Sequence, residues 1–256
     1  MAASGRPRRG APAEPPGSAG AAGAGARDSG HARVDLVENS SIAAVQSEQR
    51  FTTVRKKAFP MSLVLDSAAQ DLLFREARTA NSFSDEPVTE EQVQAIYDLV
   101  KYGPTAFNQT PLRITLVRSP EARERLVKHM AEGNAAKTAA APLVAILSAD
   151  NEFHEELPQL LPHFPQAKDV FFAERPVREQ SALLNAALQA AYFIVGVRAA
   201  GLAAGPMTGA DFAGIQKEFL DADHTPLMVV NIGKPGEDTG FPRSPRLEFD
   251  QVITTV

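Results

Sequence analysis

The fold is organised around residues 178–209, which have the sequence REQSALLNAALQAAYFIVGVRAAGLAAGPMTG. Between residues 181 and 200 the only charged residue is Arg198, and at 1.5 Å per residue this run would form about 30 Å of helix. Apolar side chains leave it no polar face, while Asn185 and Gln189, four residues apart, place two amides on one side. The sequence therefore predicts a long central helix, covered by its own domain on one side and by a second subunit on the other. A turn is predicted at residues 205–209.

The same helix is long and apolar enough to be weighed as a membrane span. Its two mid-helix amides and Arg198 argue against that interpretation, because polar groups are costly inside hydrocarbon. We interpret the chain as a soluble cytoplasmic protein with no membrane partner.

The first 60 residues differ in composition from the rest of the chain. Ala, Gly, Pro and Ser fill 23 of the first 30 positions, so this part has little to bury. Residues 1–60 carry nine basic and five acidic side chains, whereas residues 61–256 carry 17 and 26. The sequence predicts a disordered extension over 1–60 and one folded domain over 61–256, and we hypothesise that Met61 is the natural start. Gly23-Ala24-Gly25 and Asp28 lack the strand and helix that a dinucleotide fingerprint needs.

Composition excludes several classes of chemistry. The chain has no cysteine, which removes disulfides, thiolate nucleophiles, iron-sulfur clusters and cysteine-bound zinc. The acidic balance of the folded part gives no support for nucleic-acid binding. No G-x-S-x-G elbow or phosphate loop is present. His154, Glu155, Glu156 and His163 are candidate metal ligands, but their spacing matches no helical zinc motif.

Local signals predict an α+β domain with a mixed sheet flanked by helices. The first helix, at 66–78, would turn Leu72, Leu73 and Phe74 toward the core, and Gly133-Asn134 would break the third helix. Residues 151–175 would form an irregular lid or subunit contact, and 247–256 a strand-like tail. Further helices are predicted at 89–100, 119–131, around Lys137 and at 211–220, and strands at 112–117, 143–147 and 227–232.

Amide and cationic side chains occur on several separate predicted loops, and together they favour a binding site. A phosphate dianion is bound where cations from different parts of a fold converge, and a flat heterocycle needs donors and acceptors along one edge. The candidate residues are Arg78, Asn81, Asn108, Asn134, Lys137, Arg243 and Arg246.

Five segments in register resemble the FMN-dependent nitroreductase family over residues 65–249. The resemblance is greatest to the malonic semialdehyde reductase branch of that family. The segments are residues 77–83 (ARTANSF), 103–111 (GPTAFNQTP), 133–137 (GNAAK), 205–209 (GPMTG) and 242–246 (PRSPR).

The resemblance implies a homodimer whose central helices pack across the two-fold axis, with an FMN in each of two clefts built by both chains. Arg78, Thr79, Arg243 and Arg246 would hold the FMN phosphate. Asn81 stands where family members often carry a second basic residue, so it is assigned to the ribityl chain. Thr105 and Asn108 would approach the flavin from the other subunit. Asn134 and Lys137 would meet the pyrimidine edge, and backbone groups of Thr208 and Gly209 would lie beside N5.

The implied reaction is a two-step transfer in which NADH or NADPH reduces FMN at N5 and a small oxidised molecule then takes the same place. Malonic semialdehyde, nitroarenes and quinones are the candidate oxidants. No protein nucleophile is needed, and Lys137 would give electrostatic support to the reduced flavin. Phe171 or Phe172 would cap the cleft unless they are core residues. Two other hypotheses are a flavin-binding protein without turnover and a structural dimer module.

Overall fold

The computed structural model describes residues 63–237 and 242–256. The predicted disorder of residues 1–60, the hypothesis about Met61 and the segment Gly23-Ala24-Gly25 with Asp28 lie outside these described residues.

The centre of the domain is a four-stranded sheet made of Leu112–Val117 (β1), Leu143–Asp150 (β2), Ala203–Met207 (β3) and His224–Gly233 (β4). The strands follow the order β1-β2-β4-β3, and all three pairs are antiparallel. Within the described ranges, parallel pairing is confined to an isolated bridge between Thr79 and Ala204. The predicted α+β class is confirmed, and the sheet is mixed only through that bridge.

Three predicted strands are present, and the predicted turn at 205–209 is partly wrong. Gly205 pairs with Asn231 inside β3. A Cβ at position 205 would lie 2.5 Å from the carbonyl oxygen of Ala80, so glycine is what lets that backbone approach the sheet. The Ala80 amide donates to the Ala204 carbonyl at 3.0 Å. This contact fixes the chain just after Arg78.

Helices cover both faces of the sheet, as predicted. One face packs against Arg175–Ala199 and Glu90–Val100, and the other against Pro120–Val127, Glu132–Ala140 and Phe212–Phe219. The helices are Ser67–Gln70 (α1), continued by a π-helical turn over Asp71–Arg75, Glu90–Val100 (α2), Pro120–Val127 (α3), Glu132–Ala140 (α4), Leu157–Leu160 (α5), Ala167–Phe171 (α6), Arg175–Ala199 (α7), Phe212–Phe219 (α8) and Phe249–Val252 (α9).

Capping residues set the helix starts. Thr89 and Gln92 form a reciprocal capping box at α2, and the Ser119 hydroxyl accepts from the Ala122 amide at 3.1 Å ahead of α3. The predicted break at Gly133-Asn134 is wrong, because both residues lie in the first turn of α4. The chain breaks earlier, where the Ala131 amide leaves the helix to donate to the Gly209 carbonyl at 3.0 Å.

The central helix α7 is buried on one side only. Ala190, Phe193 and Val197 pack on the sheet, and Gly196 lies against Val100 of α2. The opposite side exposes Leu183, Leu184, Leu188 and Tyr192 by 45 to 63%. Coverage by its own domain is thus confirmed, and coverage by a second subunit stays a prediction.

In the described part of the chain, α7 has the length and composition of a membrane span, yet 39% of its most apolar window is buried inside the protein. The two amide side chains of α7 accept hydrogen bonds from the backbone of neighbouring segments. Asn185 accepts from the Ala106 amide at 2.9 Å, and Gln189 accepts from the Leu112 amide at 3.0 Å.

Two terminal regions depart from the predictions. In the π-helical turn, Leu72 and Phe74 are exposed by 48% and 56%, whereas Leu73 is half-buried. The predicted strand-like tail contains the short helix α9, and Phe249 there is 77% exposed. Residues 151–175 fold into short helices around Phe153 and Leu157. These two side chains belong to a third apolar cluster, separate from the two clusters that lie on the faces of the sheet.

Candidate functional site

A polar cleft of about 600 Å³ lies where three distant parts of the chain meet. The segment after the π-helical turn, the C-terminal end of α7 and the segment before α9 each contribute cations. We call it the arginine cleft, and its polar lining includes Arg78, Thr79, Asn81, Arg198, Arg243 and Arg246.

Backbone carbonyls orient the C-terminal arginines. Arg243 Nη2 donates to the Ala77 carbonyl at 3.1 Å, which ties the C-terminal segment to the residue before Arg78. Arg246 Nη1 donates to the carbonyls of Ser244 and Pro245 at 3.0 and 3.1 Å. No carboxylate is found among the lining residues that the structure describes. Arg78, Arg198, Arg243 and Arg246 thus give the cleft lining four cations, which fits an anionic ligand.

Arg198 is the most desolvated cation of the cleft. It lies in the last turn of α7, and its Nε is buried without a hydrogen-bond partner among the described residues. Burial lowers the pKa of Arg198 from its ordinary value, and the positive charge of Arg243 lowers it further. The environment of the Arg198 guanidinium therefore disfavours its positive charge.

A second group of predicted residues adjoins the cleft. Lys137 Nζ donates to Asn81 Oδ1 at 3.4 Å, so the ammonium group lies beside the cleft lining. One turn earlier on α4, Asn134 Nδ2 donates to the Gly209 carbonyl at 2.9 Å. Helix α4 thus connects the arginine cleft to the backbone that follows β3.

Glycine at position 209 leaves room for the Asn134 amide to lie against the backbone. A Cβ there would lie 2.7 Å from Asn134 Nδ2 and 3.5 Å from the Ala131 Cβ. Thr208 precedes it, and the Thr208 carbonyl accepts from the Ala210 amide at 3.1 Å. The structure therefore brings together nine predicted residues: Arg78, Thr79, Asn81, Asn134, Lys137, Thr208, Gly209, Arg243 and Arg246.

Thr105 and Asn108 belong to a separate region of the protomer. Asn108 Nδ2 donates to the Leu160 carbonyl at 2.7 Å, and both residues line a different cavity from the arginine cleft. Phe107 and Asn108 have φ values of 56° and 51°, in the left-handed region that is unusual for a bulky residue. Their predicted contact with a ligand from the other subunit stays a prediction.

The aromatic residues near this loop divide into two roles. Phe172 is 4% exposed and belongs to the third apolar cluster, so it is a core residue. Phe171 is 45% exposed, and its ring lies 5.0 Å from that of Phe107. A capping role for Phe171 remains a prediction.

The candidate metal ligands do not form a cluster. His154 is 8% exposed and lies 3.3 Å from Glu155 and 3.7 Å from Glu152, while His163 lies apart. Residues 63–237 and 242–256 contain no group of three potential ligands able to hold a metal ion. Glu152, which lies beside His154, instead forms an ion pair with Arg178 at 2.9 Å, and this pair ties the 151–175 segment to α7.

Comparison with known proteins identifies the family of this chain. The profile of the Nitroreductase family matches residues 74–234, well over half of the chain. The chain belongs to the nitroreductase family. A Streptomyces coelicolor relative with the provisional name NADH dehydrogenase/NAD(P)H nitroreductase is 86% identical over 196 residues, which is 77% of this chain and 100% of that protein. A second S. coelicolor protein with the same provisional name is 48% identical over 182 residues, covering 71% of this chain and 90% of its own length.

Solved structures show the same nitroreductase fold at low sequence identity. A Bacillus subtilis protein provisionally named a nitroreductase superposes with a TM-score of 0.67 at 22% identity, over 75% of this chain and all of that one. A protein of the same provisional name from Exiguobacterium sibiricum, solved in complex with FMN, gives 0.62 at 18% identity, over 75% and 98%. The names of these relatives and structures do not show the malonic semialdehyde reductase branch.

Arg198 is the residue of the cleft that motif comparison missed. It lies in none of the five family-like segments, and it reaches the site only because α7 ends beside Arg78. The available signal was its position as the single charge in a 20-residue apolar run. Such an isolated charge on a buried helix commonly has a functional partner.

Proposed function

We propose that this member of the nitroreductase family is an FMN-dependent NAD(P)H oxidoreductase that works as a cytoplasmic homodimer. The observation that carries the proposal is the convergence of the arginine cleft with Asn81, Lys137, Asn134 and Gly209. A cationic pocket for a dianion lies beside an amide and an ammonium group suited to the edge of a flat heterocycle. The name of the relative at 86% identity supports the nicotinamide reductant.

In this proposal, different residues contact the phosphate, the ribityl chain and the ring of the cofactor. Arg78, Arg243 and Arg246 would bind the phosphate, with Thr79 donating from its backbone or hydroxyl. Asn81 would contact the ribityl hydroxyls, and Thr208 and Gly209 would present backbone groups to the ring. The partner's Thr105 and the partner's Asn108 would complete the pocket.

Lys137 and Asn134 would act on the pyrimidine edge of the ring. When bound, FMN supplies two-electron transfer between a nicotinamide and an oxidised small molecule. The Lys137 ammonium stabilises negative charge at this edge, in a position fixed before reaction by α4 and Asn81. Asn134 is held by Gly209 and orients the same edge. No side chain of the protein is required as a nucleophile.

Reconstitution with FMN tests the proposal directly. Purified protein should bind FMN at about one per chain, measured by flavin fluorescence and visible absorbance, and NADH or NADPH should bleach the bound flavin under anaerobic conditions. A Lys137→Met variant should retain the flavin but be reduced about 10- to 100-fold more slowly, because one preorganised charge is lost. The matched control is Lys217→Met, on the exposed side of α8.

Other outcomes separate the alternatives. Protein that binds FMN but cannot be reduced, or cannot pass electrons to any oxidant, would be a flavin-sequestering protein. Protein that stays colourless with excess FMN would refute the cofactor assignment and favour a structural dimer module.

The oxidant is proposed to be a small carbonyl, nitro or quinone compound. Steady-state comparison of malonic semialdehyde, a nitroarene and a quinone would rank these classes, and a clear preference for malonic semialdehyde would place the enzyme with the 3-hydroxypropanoate dehydrogenases. The fold alone does not select the oxidant, since a similar structure at 17% identity is described as an enone reductase.

The proposed dimer accounts for the exposed side of α7. Leu184 and Leu188 on α7 lie next to the exposed Tyr192 and would be covered by a second copy. Sedimentation should give a dimer, and Leu184→Glu should shift it to a monomer, because a charge placed in an apolar interface is strongly unfavourable.

A further inference from the structure

We propose that Arg198 is a fourth phosphate-binding cation, which adds to the preference of this protein for a phosphorylated flavin over an unphosphorylated one. The inference rests on the proposed function and assigns a role to a residue outside the five family-like segments. It concerns the anionic end of the ligand only.

The position of Arg198 points to the cleft. The residue lies in the last turn of the 25-residue helix α7, whose Phe193 and Val197 pack on the sheet. It lines the arginine cleft together with Arg78 and Thr79, and it also lines an adjoining cavity of about 270 Å³. Arg198 therefore forms part of the wall between the two spaces.

The local environment of Arg198 is unfavourable without a ligand. Its Nε is buried and unpaired within the described residues, and Arg243 brings a like charge close enough to lower its pKa. An unsatisfied buried donor and a like-charge neighbour both cost folding stability. A charged donor kept at that cost is expected where an anion binds.

A structural ion pair does not explain the residue. Glu76 lines the adjoining cavity, but it forms no ion pair with Arg198 in the described part of the chain. Arg198 is also a cation in the last turn of a helix, where the dipole favours positive charge, yet that benefit is at most modest. A phosphate dianion in the cleft would place a negative charge beside the Arg198 guanidinium and would offset the repulsion from Arg243.

The test compares two ligands that differ only in the phosphate. FMN and riboflavin are titrated into apo wild type, Arg198→Gln, Arg198→Lys and a control, Arg125→Gln, by quenching of flavin fluorescence. Arg125 lies on α3 and pairs with Glu218, away from the cleft, and its change alters net charge equally. The melting temperature of each apo protein is measured in parallel.

Arg198→Gln should bind FMN about tenfold to a hundredfold more weakly, the range for losing one charged hydrogen bond, and should bind riboflavin as wild type does. Arg198→Lys should recover part of the loss, because it keeps the charge without the planar fork. The apo melting temperature of Arg198→Gln should be unchanged or higher, since a desolvated charge is removed.

Three results would overturn the assignment. FMN affinity of Arg198→Gln equal to that of the Arg125→Gln control, or an equal loss for both flavins, would show that Arg198 does not contact the phosphate. A marked fall in apo melting temperature would show a structural role. By contrast, wild type that binds neither flavin would refute the proposed function itself.

Discussion

Replacing Gly196 with alanine tests the contact that holds α7 against α2. A Cβ at position 196 would overlap Val100 Cγ1 and lie 3.3 Å from Ile96 Cγ2. Valine has one strongly preferred χ1 rotamer in a helix, so Val100 cannot turn away without strain. The two helices must therefore separate slightly or Val100 must adopt a poor rotamer.

Two opposing terms set the magnitude. Overpacking of a filled contact costs about 1–3 kcal/mol. Alanine in place of glycine within a helix gains about 1 kcal/mol. The net effect of Gly196→Ala should be a loss of about 1 kcal/mol of unfolding free energy, which corresponds to a fall in melting temperature of about 2–4 °C for a domain of this size.

Gly133→Ala is the matched control, because Gly133 also lies in a helix and a Cβ there would have no heavy atom within 4 Å. Urea denaturation at one fixed protein concentration, followed by circular dichroism, should place Gly133→Ala at or above wild type and Gly196→Ala below it. In a double-mutant cycle, Val100→Ala should relieve the loss at Gly196→Ala. Equal stability of the two glycine variants would refute the close packing of α2 on α7.

Three further outcomes follow from side-chain contacts. Arg123 donates to the carbonyl of Val117 at the end of β1 and to two carbonyls at the end of α4. Arg123→Gln should therefore lower the free energy of unfolding by about 2–3 kcal/mol in urea denaturation, and a loss below about 0.5 kcal/mol, the scatter of surface changes, would contradict that role. A hydrogen bond from His129 lowers the pKa of Glu218 in the folded protein. The ionised carboxylate therefore stabilises the fold at pH values above the pKa of Glu218 in the unfolded chain. This contribution is lost as the pH falls through the lower pKa of the folded state. In pH-dependent melting, His129→Gln should flatten the acid limb, and an unchanged profile would count against the pairing. Gly209→Ala should displace the Asn134 amide and weaken FMN binding about tenfold, with little change in melting temperature; fluorescence titration at wild-type affinity would disprove the need for glycine.

Local chemistry made the helix starts predictable. The capping box at Thr89 and the Ser119-Pro120 pair act over three or four residues, so their signals are complete within the sequence. The strand at Gly205 was not predictable in this way, because it depends on pairing with Asn231 in a distant strand. A glycine-proline pair indicates a turn until a partner strand is known.

In the candidate site too, residues in local motifs could be predicted, whereas a residue that depends on distant contacts could not. Residues 77–83, 133–137 and 242–246 were identified by motif, and the structure places them together. Arg198 could not be assigned from its sequence neighbours, since its role depends on where α7 ends relative to Arg78. The break before α4 was misplaced for a similar reason, because the Ala131 amide bonds to Gly209 far along the chain.

The length of α7 constrains how the proposed site could open. Asn185 holds the 103–111 loop through the Ala106 amide, and Arg198 lines the arginine cleft thirteen residues later, about 20 Å along a rigid helix. Within one chain, the distance between the 103–111 loop and Arg198 changes only if α7 bends. If the 103–111 loop of a second chain completes each pocket, the width of the pocket depends on how the two α7 helices pack against each other. Flavin release and dissociation of the pair would then be linked equilibria, and added flavin should hold the dimer together on dilution.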